Sequence, residues 1–175
     1  MRPPALLLAL VAFLFSAGSC QASDLTLRDA QVSVHFSPNG GAQDAIVSAI
    51  NKAQSSVRVL AYNFTNKPIA KALLDAHKRG VKVEVVLDKS QRDEKYTGGR
   101  FLDNARVPVF IDAEHAIMHN KVMIIDETTV ITGSFNFTRG AEEKNAENVL
   151  VISSKELAAV YLENWRLHRG HSEKF

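Results

Sequence analysis

Cysteine occurs once in the 175 residues, at Cys20, and a lone thiol excludes a disulfide framework and a cysteine-ligated zinc site. Long apolar runs are as scarce. Ala5 to Phe15 is unbroken, but its 11 residues fall short of the ~20 needed to span a bilayer, and no second run approaches that length. A charge excess of one sign is missing too: 21 Lys and Arg against 19 Asp and Glu leave +2. Bulk charge therefore gives no argument for a polyanionic partner, and any contact with nucleic acid has to come from local clustering of basic groups. Neither repeats nor low-complexity tracts occur. What is there, 46% hydrophobic and 23% charged residues, suits one globular domain.

The N-terminus reads as a signal peptide over residues 1–22. Arg2 supplies a positive start, Ala5–Phe15 the apolar segment, and Ser16-Ala17-Gly18-Ser19-Cys20-Gln21-Ala22 the small-residue approach to a cut after Ala22. Cleavage there removes Cys20 and leaves residues 23–175 as the mature domain, periplasmic or secreted, with no stable membrane insertion. Two alternatives stand beside it: an uncleaved N-terminal anchor, and lipidation at Cys20, since Ala17-Gly18-Ser19-Cys20 loosely resembles a bacterial lipoprotein box.

The mature chain alternates strand and helix patterns. Val32–Phe36 has period two, and a turn-rich Ser37-Pro38-Asn39-Gly40-Gly41 precedes a helical stripe Ala42, Ala45, Ile46, Ala49, Ile50, Ala53. Val57–Phe64 predicts a second strand. Asn66 and Pro68 open a helix that buries Ile69, Leu73 and Ala76 and closes at Gly80. Val81–Asp88 predicts a third strand, parallel to the second through a right-handed crossover. Lys89–Gly99 reads as an exposed, mobile loop, followed by a short helix near Arg100–Asn104 and a strand Val107–Ile111. A hairpin follows, with arms around Lys121–Ile125 and Thr129–Ser134 and a turn at Asp126-Glu127-Thr128. Glu147–Ile152 is the last strand, and Ser153 with Glu156 forms a capping box for a terminal helix burying Leu157, Val160, Tyr161 and Trp165. The fold class expected is α/β: a mixed, mostly parallel sheet flanked by helices, an α/β/α sandwich.

Polar residues concentrate in the hairpin. His119 and Lys121, two apart, share one face of a strand in an otherwise apolar run. A lysine facing inward is rarely found without an anionic partner, and a phosphate would serve as one. Gly133 permits close backbone approach, and Ser134 and Asn136 add donors at the same two-residue spacing. His35 and His77 read as ordinary strand and helix histidines, and His168 and His171 as part of a charged, frayed tail. His115 and His119 have a helical metal-ligand spacing, but on a strand they lie ~13 Å apart. No third ligand is evident, so neither metal nor cofactor is expected.

Together His119, Lys121, Asp126, Gly133, Ser134 and Asn136 match H-x-K-x4-D-x6-G-S-x-N without a gap. Six fixed positions at about one in twenty each leave a ~10⁻⁸ chance per starting point. The pattern resembles the phospholipase D superfamily. Ser37–Gly41, Ala61-Tyr62-Asn63-Phe64-Thr65 and Arg79-Gly80-Val81 extend the likeness to its small single-motif bacterial endonuclease branch, from about Val32 to Trp165. Glu147 falls where that branch carries a glutamate contacting the catalytic histidine. No second motif copy occurs in the chain.

The resemblance implies a homodimer whose two motifs make one shared active site, and a metal-independent phosphodiesterase. His119 of one chain would attack phosphorus to give a phosphohistidine, and that of the other would serve as acid and then base. Glu147 would orient the His119 ring, and Lys121, Ser134 and Asn136 would bind the phosphate. Asp126 has a full structural explanation at the hairpin turn and is assigned there, with Gly133 also structural. The favoured substrate is DNA or RNA, cut by a low-specificity exported endonuclease, with Lys89, Arg92, Lys95 and Arg100 as the basic groups nearby. The alternative is a phospholipase D acting on phospholipid head groups, which would want an exposed apolar lip that the polar 89–99 loop does not offer. A third reading is a non-catalytic nucleic-acid-binding module.

Overall fold

A computed structural model describes residues 22–175. Apart from Ala22, the expected signal segment lies outside the described residues, and so does Cys20. The chain runs β1 (Gln31–Ser37), α1 (Ala42–Lys52), β2 (Ser56–Ala61), α2 (Lys67–Lys78), β3 (Lys82–Asp88), α3 (Gly98–Asn104), β4 (Val109–Asp112), β5 (Lys121–Ile125), β6 (Thr129–Gly133), α4 (Arg139–Glu143), β7 (Glu147–Ser153), α5 (Lys155–His171) and β8 (Glu173–Lys174). Local chemistry sets several boundaries. Asn66 caps α2 by accepting from the Ile69 N–H, and Gly80, at φ 89°, ends it. Asp126 and Glu127, at φ 52° and 56°, make the two-residue turn between β5 and β6, and Thr128 N–H closes it on the Ile125 carbonyl.

All eight strands form one sheet in the order β1-β7-β6-β5-β2-β3-β4-β8. The α/β sandwich is as expected, and β2–β3 is the parallel crossover pair. The sheet is not mostly parallel, however: only β2–β3 and β3–β4 pair that way, and the other five pairings are antiparallel. Helical crossovers link only β2, β3 and β4 side by side. From edge strand β1 the chain crosses through α1 to β2 in the middle of the sheet, and the β5–β6 hairpin and β7 fill the space between them. Strands β1, β2, β3, β4 and β6 nonetheless run the same way, so their C-terminal ends meet the N-terminal ends of β5 and β7 at one edge.

Two apolar layers sandwich the sheet. On one face Ile46, Ile50, Ile69, Leu73 and Leu102 of α1–α3 pack on Val57, Val59, Val83 and Val85. On the other, α5 lays Ala158, Leu162 and Trp165 on Leu60, Val86, Val122, Ile124 and Val130. The Trp165 indole donates to the Val59 carbonyl at 3.2 Å, so its one polar atom is satisfied inside the core. The buried stripe of α5 is thus rotated from the expected one: Leu157, Val160 and Tyr161 are only partly buried. Its N-cap is Ser154 rather than Ser153. The Ser154 hydroxyl accepts from Leu157 N–H and meets the Glu156 carboxylate. Nor is the tail frayed. The helix continues to His171, and Glu173–Lys174 adds an antiparallel strand to β4.

The 89–99 segment differs from the expected mobile loop. Buried Gln91 accepts from the Phe64 N–H, Thr97 caps α3, and Arg92 bridges to Glu173 at 2.8 Å. Lys89, Gln91, Arg92 and Thr97 hold it to the body of the domain, while residues 92–96 are exposed as expected.

Candidate active site

The site forms where β2 ends and β5 begins. Lys121 opens β5 opposite Ala61, enclosed between β2 and β6, and is 8% exposed. His119 lies just before the strand, exposed, on a segment fixed by backbone and side-chain contacts. Tyr62 N–H donates to the Asn120 carbonyl at 2.9 Å, and Met118 N–H to the buried Asp88 carboxylate at 2.7 Å. The Lys121 ammonium lies 2.9 and 3.0 Å from the two ring nitrogens of His119 and donates to the His119 carbonyl at 2.9 Å. An in-plane ammonium that near both nitrogens would collide with Cε1 between them, so the ammonium sits over the ring face. Burial pulls the Lys121 pKa below its ordinary 10.5, and the negative charge of Glu147 opposes that pull.

Tyr62 completes this corner. Its ring centre is 4.5 Å from that of His119 and 5.3 Å from the Lys121 ammonium, so one aromatic face supports both groups. The sequence reading gave Tyr62 no role. Its signal was its place at the end of a central parallel strand, where ligands of open sheets gather.

Ser134 and Glu147 come together on the neighbouring strands. The Ser134 hydroxyl donates to Glu147 at 2.6 Å and accepts from the Asn148 N–H at 3.1 Å. Asn145 donates to the other Glu147 oxygen at 3.0 Å. Within one chain, then, Glu147 is bonded to Ser134 and Asn145 and not to the His119 ring, and the Ser134 proton is already committed. Asn136 follows the buried Phe135, and its amide oxygen is buried without a donor. Gly133 has φ 151°, and a Cβ there would stand 2.2 Å from the Asn148 carbonyl oxygen, so no other residue fits between β6 and β7.

Asp126 is at the opposite end of β5, five residues or ~17 Å from Lys121. Its carboxylate accepts from the backbone N–H groups of Gln54, Ser55 and Ser56 at 2.7–2.9 Å and from the Ser55 hydroxyl at 2.8 Å. A second titratable cluster, Asp112 with His115, His168 and His171, lies at the same sheet edge as His119 but shares no side chain with it.

Comparison with known proteins identifies the family. Residues 46–166 match the family model described as cardiolipin synthase, PLD-like domain. The chain belongs to the phospholipase D superfamily. It is similar to a phospholipase D of Rickettsia conorii, 45% identical over 139 residues that cover 79% of this chain and 70% of that one. Among solved structures it resembles Nuc from Salmonella typhimurium, a phospholipase D family member, at 39% identity and a TM-score of 0.81 over 84% of this chain and 99% of that one. NucT from Helicobacter pylori is similar at 26% identity and a TM-score of 0.76, over 84% and 100%.

Proposed function

We propose that this protein hydrolyses phosphodiester bonds of nucleic acid as an exported homodimer, through a phosphohistidine on His119. The observation that carries the reading is the buried Lys121 ammonium held against an exposed His119 ring, with Glu147, hydrogen-bonded to Ser134, near enough to favour the Lys121 charge. A ring nitrogen of His119 attacks phosphorus, and the bond to the leaving oxygen breaks as the partner subunit's His119 gives that oxygen its proton. Water then attacks the same phosphorus, the nitrogen–phosphorus bond breaks, and the proton of the water passes to the partner subunit's His119. Lys121 and Asn136 offset the charge that builds on the equatorial oxygens. Such hydrolysis asks for roughly 20 kcal/mol of transition-state stabilisation, more than positioning one histidine supplies.

Three features support a second copy. There is one motif per chain, and an amide oxygen of Asn136 lacks a donor. Edge strand β1 exposes Val32, Val34 and Phe36, each at least half exposed, on one face beside β7, which carries Glu147.

A groove of about 910 Å³ along α2 and α3 supports nucleic acid through Lys67, Lys78 and the Tyr96 and Phe101 rings, while its largely apolar wall, with Pro68, Ala70 and Leu74, suits lipid as well. It begins at Thr65 and Asn66, whose N–H groups donate to the Phe137 carbonyl next to Asn136. Lysines with exposed aromatic rings suit a strand of phosphates and stacked bases. Of the basic cluster expected from sequence, Lys89 is bonded to the His115 carbonyl, Arg92 to Glu173 and Arg100 to backbone carbonyls, whereas Lys95 is exposed over the ring of Tyr96, beside this groove. The phospholipid reading is kept by Ile117, 56% exposed two residues before His119, and by Tyr96, which gives the 89–99 segment an apolar ring at its surface.

The test incubates purified protein with plasmid DNA in excess chelator, and separately with phosphatidylcholine vesicles, with circular dichroism reporting the folded fraction in each. Nicking by folded protein in chelator, lost in His119→Ala, is the expected result. Lipid turnover with intact DNA would make this a phospholipase. An active protein that sediments only as a monomer would remove the shared site.

A further inference from the structure

Asp112 ends β4 fully buried, and three imidazoles converge on a single oxygen of its carboxylate. His168 Nδ1 is 2.7 Å from Oδ2, His171 Nε2 3.0 Å and His115 Nδ1 3.2 Å. Oδ1 accepts the Glu114 N–H at 3.1 Å. His115 Nδ1 also lies 3.4 Å from Oδ1, so three rings and one N–H crowd the four lone pairs of a single buried carboxylate, and not all of them are aligned. Nε2 of His171 shows the conflict: it is buried and near Oδ2, yet makes no aligned hydrogen bond.

A cation resolves this crowding. We propose that Asp112, His115, His168 and His171 bind one zinc ion in a closed four-ligand site that staples α5 and the loop leading to His119 onto the sheet. Four donors at 2.0–2.1 Å in a tetrahedron stand ~3.3 Å from one another. The three nitrogens lie 2.7–3.2 Å from Oδ2, and all four candidate ligand atoms fall within 4.8 Å of one another, so the side chains need only small adjustments to surround an ion. The ring centres are 4.9, 5.3 and 5.6 Å apart, disposed around one point. Imidazole nitrogens with one carboxylate oxygen suit zinc better than magnesium or calcium, which prefer oxygen. The Glu114 carboxylate lies 3.5 Å from Nδ1 of His171, the outer partner that holds a metal-bound imidazole in its tautomer.

The ligands come as two i, i+3 pairs, Asp112 with His115 after a strand and His168 with His171 on one helix face. The expectation that the histidines bind no metal compared His115 with His119. The partners of His115 lie instead at the far end of the chain. Because all four protein ligands are filled and none is a reacting group, the ion is structural. It fixes His115 in the same segment that ends on His119, and it does so whichever phosphodiester is the substrate.

The test uses the untagged full chain, stripped with chelator and dialysed, with zinc and cobalt(II) as probes. One zinc per chain by equilibrium dialysis is expected, with the intense visible bands of four-coordinate cobalt(II) and a thermal midpoint that rises with free zinc. His115→Ala removes a half-exposed ring without opening the core, and it should weaken zinc at least tenfold while the circular dichroism is retained. His168→Ala with His171→Ala should abolish stoichiometric binding, whereas His119→Ala should keep it. Sub-stoichiometric binding by folded wild-type protein, unchanged affinity in His115→Ala, or loss of the ion in His119→Ala overturns the proposal. DNA nicking, measured separately, reports on the proposed activity, so failure of one reading is distinguishable from failure of the other.

Discussion

Asp126 is a motif residue, yet its geometry makes it a strut, and replacing it separates the two roles. Asp126→Ala removes the acceptor for three backbone N–H groups and one hydroxyl. Gln54 and Ser55 are exposed, so water replaces the carboxylate there at little cost. Ser56 is buried, and its unpaired N–H costs about 1–3 kcal/mol. Holding alanine at φ 52°, which aspartate tolerates, adds ~1 kcal/mol. The sum, about 2–4 kcal/mol, should appear in urea unfolding followed by Trp165 fluorescence, with the slope unchanged. Asp126→Gly removes the conformational part and should recover ~1 kcal/mol of it. Well below the denaturation midpoint, both variants should cleave within about threefold of wild type, because the strut is ~17 Å from Lys121. Burial by itself would raise the Asp126 pKa, but the N–H groups of Ser56, Ser55 and Gln54 outweigh it and hold the carboxyl below its ordinary 3.8. The unfolded chain therefore binds the extra proton first. The stabilisation is fully present above pH 3.8 and fades as pH falls through the folded-state value, so wild type and Asp126→Asn should converge in strong acid. A folded Asp126→Ala protein of wild-type stability that had lost cleavage a hundredfold would refute the strut and return Asp126 to the chemistry.

The remaining predictions concern the site itself. Lys121→Met should abolish cleavage yet hold or raise the thermal midpoint, because it removes a desolvated cation from between β2 and β6; a lower midpoint with partial activity would contradict this. Since Glu147 supports the charge of Lys121, Glu147→Gln should shift the ammonium titration, read by NMR, to lower pH; an upward shift would mean the two groups do not interact. Gly133→Ala, with its Cβ 2.2 Å from the Asn148 oxygen, should cost about 2–4 kcal/mol in urea unfolding and part β6 from β7. Tyr62→Leu should lower the cleavage rate by at least tenfold with stability changed by ~1 kcal/mol or less, because the ring supports His119 and Lys121 rather than the core.

Most elements were legible because local chemistry and packing agree. Asn66 and Gly80 bound α2 as their types demand, and in Val81–Asp88 the alternation through Glu84 and the run Val85-Val86-Leu87 match a strand that becomes buried on both faces toward its end. What one sequence does not carry is which strands become neighbours. Nothing local to Val32–Phe36 says that β1 pairs with β7 at the far edge instead of with β2, and the excess of antiparallel pairs follows from that choice. The motif was legible for a related reason. Its six positions lie within one hairpin and its continuation, so the pattern can be read from one short stretch, although Asp126 stands ~17 Å from Lys121 in the fold. Tyr62, Asp88 and the four-residue zinc cluster were not, since their partners lie 30 to 60 positions away and meet only through the sheet.

These contacts hold the segment that carries the proposed nucleophile, His119. His119 lies outside regular structure, where a side chain ordinarily pays for its own ordering at each turnover. Here the segment that carries it is bonded at four successive points: Asp112 to Glu114 N–H, Lys89 to the His115 carbonyl, Asp88 to Met118 N–H and Tyr62 N–H to the Asn120 carbonyl. Three of those anchors, Asp112, Asp88 and Tyr62, stand at or just beyond the C-terminal ends of β4, β3 and β2, so the sheet itself dictates the path of the loop. The proposed site, assembled from two chains, would need this more than a site within one. Each subunit must present its histidine already in place, because a flexible loop would have to be ordered twice, once on each side of the interface, before one phosphate could be engaged.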